Sequence, residues 1–434
     1  MRRGVVVAVL VVLAGVFAPQ AHGDPTNDDW NPVFNEDEYT AFYTPPDPLP
    51  PGAPGDLIRT EPSRLVLEPS GQLGVIMATG TRIMYRSTDA RGNPMAVTGT
   101  YFEPYNNWPG QGPRPLIVYG PGTQGQGDQC APSRQFNQGI HWSPWLDLTF
   151  NYEEMFVATM VARGFAIVMT DYQGLGTPGL HTYVNRIAQG NAMLDAGRAA
   201  LRLPDTSLDP HGPLAFWGYS QGGGAAASAA ELAPSYAPEL NIVGTYAGAP
   251  PADLKELFPY ADGSVLVGAV GYALNSVITT YPEFEQAIRS KMTPRGADLL
   301  NKVQDQCVAE TLTKFMFRHL QPYFNENIYE LVNQEPFKSL FDMQKLGKYK
   351  PNAPVMILSN RYDPLVPYGP AAQLGRDWCA QGADVQFWTN EQPPFLNKAI
   401  VNHGLPMLVD GERAMQWIAD RFNGLPTTPN CGQF

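Results

Sequence analysis

Short apolar runs recur along this 434-residue chain, separated by stretches of helical length and punctuated by glycine and proline. The first are Pro115-Leu116-Ile117-Val118-Tyr119, Phe165-Ala166-Ile167-Val168-Met169-Thr170, Leu214-Ala215-Phe216-Trp217 and Ile242-Val243-Gly244-Thr245-Tyr246-Ala247. Each is apolar at successive positions, so both of its faces must be covered. Helical stretches near residues 152–163, 191–203 and 222–232 lie between them. Such alternation predicts an α/β fold: a mostly parallel sheet with helices on both faces.

Two departures from this rhythm define the organisation. Upstream, Arg82-Ile83-Met84-Tyr85-Arg86 and Ala96-Val97-Thr98-Gly99-Thr100-Tyr101-Phe102 alternate apolar with polar residues and flank the turn signal Asp89-Ala90-Arg91-Gly92-Asn93-Pro94. They read as antiparallel strands. Downstream of Pro251 the alternation stops, and residues 251–350 read as helices and loops carrying Met292, Phe315, Met316, Phe317, Phe324, Phe337, Phe341 and Met343. The α/β rhythm returns at Val355-Met356-Ile357-Leu358-Ser359 and Val385-Gln386-Phe387-Trp388 and ends in a helix over residues 412–422. One core, residues 64–250 and 351–434, interrupted by a helical insertion explains this better than two successive domains. Residues 24–63, with Pro45-Pro46-Asp47-Pro48-Leu49-Pro50-Pro51, read as an extended N-terminal arm.

Composition excludes several classes. Hydrophobic residues are 44% and charged residues 16% of the chain, which is wrong for a disordered protein. The 29 basic residues against 41 acidic ones give a net charge of −12, the wrong sign for a nucleic-acid surface. Arg2 and Arg3 precede an apolar run over residues 5–17, and Ala21-His22-Gly23 supplies small residues for cleavage. Residues 1–23 therefore read as a secretory signal peptide, because the run is too short to span a bilayer. No later window has the apolar length of a spanning helix, which predicts a soluble exported protein. Cys130, Cys307, Cys379 and Cys431 lack zinc-site spacing. In an oxidising compartment they predict two disulfides, and spacing leaves every pairing open.

Gly218-Tyr219-Ser220-Gln221-Gly222 joins an apolar strand to a helix of small residues. A serine on so sharp a turn is presented at the sheet edge, and glycines two positions either side relieve the crowding. The competing reading is a structural turn. A nucleophilic serine needs a base, and the chain has 6 histidines: His22, His141, His181, His211, His319 and His403. His22 falls in the signal peptide. His141, His181 and His211 precede Ser220, whereas strand-turn-serine hydrolases order their residues Ser, Asp or Glu, His. His319 lies among aromatics of the insertion, where packing is expected. His403 remains, on what reads as a loop between the last strand and the last helix. Asp363, directly after the strand ending at Ser359, is the matching acid, and an Asx-turn before Pro364 is its alternative role. Asp384 and Asp342 are weaker, because neither closes a strand. Oxyanion donors are expected from the Gln221 N–H and from the loop Gly120-Pro121-Gly122-Thr123-Gln124-Gly125, with Thr123 first and Gly122 second. That loop lacks the Lys and Ser/Thr ending of a phosphate loop.

The wording of several segments resembles the secretory lipase family, the lipase A type known from yeasts and actinobacteria. They are Gly218-Tyr219-Ser220-Gln221-Gly222-Gly223, Asp171-Tyr172-Gln173-Gly174-Leu175-Gly176, Ala247-Gly248-Ala249-Pro250-Pro251-Ala252-Asp253-Leu254, Asp363-Pro364-Leu365-Val366-Pro367, His403-Gly404 and Cys130-Ala131-Pro132-Ser133. The resemblance runs over about residues 30–425 and implies an α/β-hydrolase with a helical lid insertion after Asp253. It implies a triad of Ser220, Asp363 and His403, and disulfides Cys130–Cys307 and Cys379–Cys431. At the oxyanion loop yeast members carry an acidic residue where this chain has Gly122 and Thr123. The expected function is hydrolysis of carboxylic esters, acylglycerols first, by a secreted enzyme whose expected partners are a lipid or ester substrate and a lipid–water interface. No metal or organic cofactor and no nucleic-acid partner is implied. Short-chain esterase, acyltransferase or peptidase activity on the same triad, and a non-catalytic binding protein, are the alternatives.

Overall fold

The computed structural model describes residues 41–65, 67, 77–138, 141–143, 147–149 and 151–434. The chain divides into two compact units, Met1–Phe42 and Tyr43–Phe434. Residues 1–23, expected to be a signal peptide, and the first part of the segment expected to be an N-terminal arm lie outside the described residues.

The second unit opens with three antiparallel strands: β1 (Leu57–Ser63), β2 (Ala78–Thr88) and β3 (Pro94–Pro104). β1 corrects the reading of residues 24–63 as an arm throughout, because its last seven residues pair with β2 from Leu57↔Tyr85 to Ser63↔Gly80. Its sequence, Leu-Ile-Arg-Thr-Glu-Pro-Ser, is polar and holds a proline. Both are tolerated on an edge strand, where one row of backbone groups needs no partner.

The α/β rhythm follows: β4 (Leu116–Gly120), α1 (Pro132–Gln138), a small hairpin of β5 (His141–Ser143) and β6 (Asp147–Thr149), α2 (Glu154–Ala162), β7 (Ala166–Thr170), α3 (Arg186–Leu201), β8 (Leu214–Tyr219), α4 (Gln221–Tyr236) and β9 (Ile242–Gly248). Helices α5 (Leu254–Ala261), α6 (Ala269–Thr280), α7 (Glu285–Ser290), α8 (Pro294–Val303), α9 (Val308–Phe315), α10 (Ile328–Leu331) and α11 (Phe337–Gln344) come next. The core resumes with β10 (Val355–Asn360), α12 (Tyr368–Ala380), β11 (Val385–Asn390), α13 (Val401–Val409) and α14 (Gly411–Phe422). One 9-stranded sheet has the order β1-β2-β3-β7-β4-β8-β9-β10-β11. It is parallel from β7 to β11.

Alternation along the buried strands builds two cores. Ile117 and Tyr119, Ile167 and Met169, and Ala215 and Trp217 face Phe156 and Met160 of α2 and Trp417 and Ile418 of α14. Leu116 and Val118, Ala166 and Val168, and Leu214 and Phe216 face the alanines of α3 and α4. Those two helices are buried almost throughout, because small side chains let them lie close to the sheet and to one another. The 9 strands and their covering helices form an α/β-hydrolase fold.

The insertion has a core of its own. In α8, Gly296, Leu299, Leu300 and Val303 are buried at helical spacing, and the Thr293 side chain accepts the Gly296 N–H at its start. Met292, Phe315, Phe324 and Phe337 are buried, whereas Met316, Phe317 and Met343 are exposed. The insertion is tied to the loop after β4. Cys130 is bonded to Cys307, Val308 N–H donates to the Gln124 carbonyl, and Gln126 N–H to that of Gln306. The second disulfide, Cys379–Cys431, fastens the C-terminal tail to α12. His319 departs from the sequence expectation: its ring is 75% exposed and meets Asp262 Oδ2 at 3.2 Å, so it is not packed among aromatics.

Candidate active site

Ser220 sits between β8 and α4 with φ 59° and ψ −122°. A non-glycine residue there is strained, and the surrounding backbone must hold it. The Ser220 N–H donates to the Gly248 carbonyl, and its own carbonyl accepts from Gly224. A Cβ on Gly218 would strike the Gly222 carbonyl, and one on Gly222 would strike the Gly120 carbonyl. The glycines are therefore required by contact between β8, the start of α4 and the end of β4. As the first residue of α4, Gln221 presents its N–H at the helix N-terminus, where such groups have no intrahelical partner.

His403 Nε2 lies 2.9 Å from Ser220 Oγ, and His403 Nδ1 lies 2.7 Å from Asp363 Oδ2. His403 and Asp363 are 5% and 3% exposed, so little water competes for these bonds. Asp363 follows β10 and is oriented by the N–H groups of Leu365 and Val366, which donate to its Oδ1 at 2.9 and 3.0 Å. The Asx-turn alternative and the histidine contact thus use different oxygens of one carboxylate.

The sequence expectation of a loop at His403 is corrected. It occupies the first turn of α13, where Asn402, His403, Pro406 and Met407 form a buried face. Gly404 and Pro406 read as breakers, but burial of that face prevails. Tyr219, the residue before the serine, donates its hydroxyl to the His403 carbonyl at 2.6 Å. Asn402 accepts the Phe395 N–H and donates to the carbonyls of Gln392 and Pro393, fixing the approach to α13.

The loop after β4 meets the other side of the site. Thr123 is buried, its hydroxyl pairs with that of Tyr183 at 2.8 Å, and its carbonyl accepts the Tyr152 hydroxyl at 3.2 Å. The Gly122 N–H is already engaged, donating to Glu153 Oε2 at 3.0 Å. That engagement disfavours Gly122 as an oxyanion donor and leaves Thr123 as the candidate.

Sequence reasoning missed Glu153 and set His181 aside on chain order. His181 is buried, stacks on Tyr172, and places Nε2 3.0 Å from the Gln221 side-chain amide and Nδ1 3.0 Å from the Gln173 carbonyl. Burial pulls its pKa down to about 4, so it is a neutral ring that accepts from Gln221 and donates to Gln173. Of the remaining histidines, His211 is exposed, and nothing is described of the His22 and His141 side chains.

A cavity of about 130 Å³ opens on Ser220 and Gln221 and runs into the insertion. Its far walls are apolar: Phe258 of α5, Leu274 and Val277 of α6, Ile288 of α7, and Leu340 and Phe341 of α11. Among the described residues no group of three or more His, Cys, Asp or Glu is arranged to hold a metal ion. None of the described helices is long and apolar enough to cross a membrane.

Residues 141–430 match the family model of the secretory lipases. The chain belongs to the secretory lipase family. It is 27% identical over 422 residues to a probable inactive lipase of Mycobacterium tuberculosis, covering 96% of this chain and 90% of that one. A secreted triacylglycerol lipase of Malassezia furfur is 26% identical over 401 residues, 90% of this chain and 77% of its own. Lipase A of Candida antarctica superposes with a TM-score of 0.76 at 23% identity, covering 90% of this chain and 87% of its own. The cell-wall-degrading esterase LipA of Xanthomonas oryzae superposes with a TM-score of 0.65 at 18% identity, covering 85% and 98%. Both share the α/β-hydrolase fold described above.

Proposed function

We propose that the protein is a secreted serine hydrolase that cleaves carboxylic esters, acylglycerols foremost, with Ser220, His403 and Asp363 as its triad. The observation that carries this is the continuous hydrogen-bonded line from Asp363 Oδ2 through His403 to Ser220 Oγ, at 2.7 and 2.9 Å. His403 Nε2 takes the hydroxyl proton as Oγ attacks the ester carbonyl. Asp363 holds the Nδ1–H and stabilises the imidazolium. The N–H groups of Gln221 and Thr123 receive the oxyanion. His403 then gives its proton to the departing alcohol, leaving an acyl-Ser220 ester. Water, deprotonated by the same imidazole, releases the acid and restores the serine.

The cavity supports an apolar acyl group: the reacting edge lies at Ser220, and the walls beyond it are mostly hydrocarbon, with Asn185, Ser276 and Gln344 as polar exceptions. Residues 251–350 then act as a cap that builds the acyl site. The two disulfides and the family support export, since such bonds persist outside reducing compartments. The test is hydrolysis of p-nitrophenyl esters from two to eighteen carbons, and of emulsified triglyceride, by the protein and by Ser220→Ala. Activity confined to two- to four-carbon esters would make it a short-chain esterase. Wild-type rates in Ser220→Ala would end the proposal.

A second reading has one observation behind it: a relative of similar length is named a probable inactive lipase. If this chain were also non-catalytic, a fluorophosphonate would leave Ser220 unlabelled and no ester would be cleaved.

A further inference from the structure

Immediately before α2, Glu153 is wholly buried, and among the described residues it pairs with no cation. Its Oε2 accepts the Gly122 N–H at 3.0 Å and its Oε1 accepts the Tyr119 hydroxyl at 3.2 Å. The Gln124 side-chain amide approaches Oε2 at 3.5 Å. Glu153 is itself fixed, because its N–H donates to Asn151 Oδ1 at 3.0 Å. The preceding residue, Tyr152, donates to the Thr123 carbonyl at 3.2 Å, and a Cβ on Gly122 would strike that same hydroxyl. Consecutive residues thus grip the loop on both sides of one peptide unit. The units carrying the Gly122 N–H and the Thr123 carbonyl are each held. The planar unit between them, which carries the Thr123 N–H, has little freedom left.

We propose that Glu153 is a positioning residue for ester cleavage: by holding the Gly122 N–H it aims the next N–H, that of Thr123, at the developing oxyanion. The inference rests on the reading of Ser220 and His403 as nucleophile and base. It has a consequence in charge. Burial raises the Glu153 pKa to about 8, against smaller opposite effects from the Gly122 N–H and the Tyr119 hydroxyl. Below that pH the clamp is neutral. Above it, a carboxylate stands roughly 7 Å from the oxyanion, given one intervening residue. Repulsion at that distance and an effective dielectric of about 20 costs on the order of fifty-fold in rate. The titratable groups facing Glu153 are Tyr119 of β4, Tyr152, and Tyr172 beyond β7. Burial, and then the Glu153 charge, push the Tyr119 and Tyr172 phenols well up, so these two stay neutral through the same range, whereas the Tyr152 ring is partly exposed.

The test compares wild type, Glu153→Gln and Glu153→Ala on a short p-nitrophenyl ester from pH 6 to 10. In wild type kcat is expected to fall through a pKa near 8. Glu153→Gln keeps a neutral acceptor for Gly122 and is expected to lose that falling limb. Glu153→Ala is expected to lower kcat about a hundred-fold with KM little changed, and Glu153→Gln to exceed it at least tenfold. A falling limb that persists unchanged in Glu153→Gln, or equal kcat in Ala and wild type, would overturn the proposal. If wild type cleaves no ester and Ser220 resists phosphonate, the triad reading has failed, and this inference with it.

Discussion

Asp363 divides its oxygens between two tasks, and replacing one atom separates them. Oδ1 accepts the Leu365 and Val366 N–H groups, while Oδ2 faces His403 Nδ1. Asp363→Asn keeps the loop but puts an N–H donor opposite Nδ1. The imidazole then carries its proton on Nε2 and cannot accept one from Ser220. A loss of about 10⁴ in kcat is expected, with the melting temperature nearly unchanged. Stopped assays with high enzyme concentration measure it, and a loss under tenfold would remove Asp363 from the triad. Gly222 tests the turn itself. An added methyl would meet the Gly120 carbonyl, so Gly222→Ala should lose about 2–4 kcal/mol of stability by denaturant unfolding.

The cavity walls supplied by the insertion helices test the proposed acyl site. Val277 and Leu274 lie on the α6 wall of the cavity. Val277→Trp fills that wall, and the ratio of twelve-carbon to two-carbon ester hydrolysis should fall at least tenfold. An unchanged ratio would place the acyl chain elsewhere. Sequence was informative for elements whose burial is symmetric. β4, β7, β8 and β10 are apolar on both faces because helices cover both sides of the sheet, and that leaves a run no surface strand would carry. The Gly218–Gly222 turn was legible because its crowding selects residue types locally. β1 was not, because an edge strand is held by backbone bonds that leave its composition free. Nor was the helix at His403, where local breakers oppose a face buried only by tertiary packing. Glu153 and His181 carry no motif. Their partners, Gly122 and Gln221, come from other elements, so proximity appears only once the sheet is assembled.

Buried ionisable groups give the whole molecule a characteristic response to pH. Burial raises Glu153 to about 8 and Asp171 to about 6, and lowers His181 to about 4. The two acids bind protons more tightly folded than unfolded. Their stabilisation is therefore complete at low pH and lost as pH rises through each folded value. His181 acts in the opposite sense, weakening the fold as pH falls from about 6.5 toward 4. Between pH 6.5 and 8.5 Glu153 dominates this set, so the wild-type melting temperature should decline there and that of Glu153→Gln should decline less. Parallel curves would contradict the assignment. Fluorophosphonate labelling, read by peptide mass spectrometry alongside esterase activity, tests whether Ser220 is the nucleophile of an ester hydrolase. One adduct is expected, on the peptide containing Ser220, with activity lost in proportion to labelling and no labelling in His403→Ala. Full activity in protein whose Ser220 is stoichiometrically modified, or an adduct on another residue that alone abolishes turnover, would contradict it.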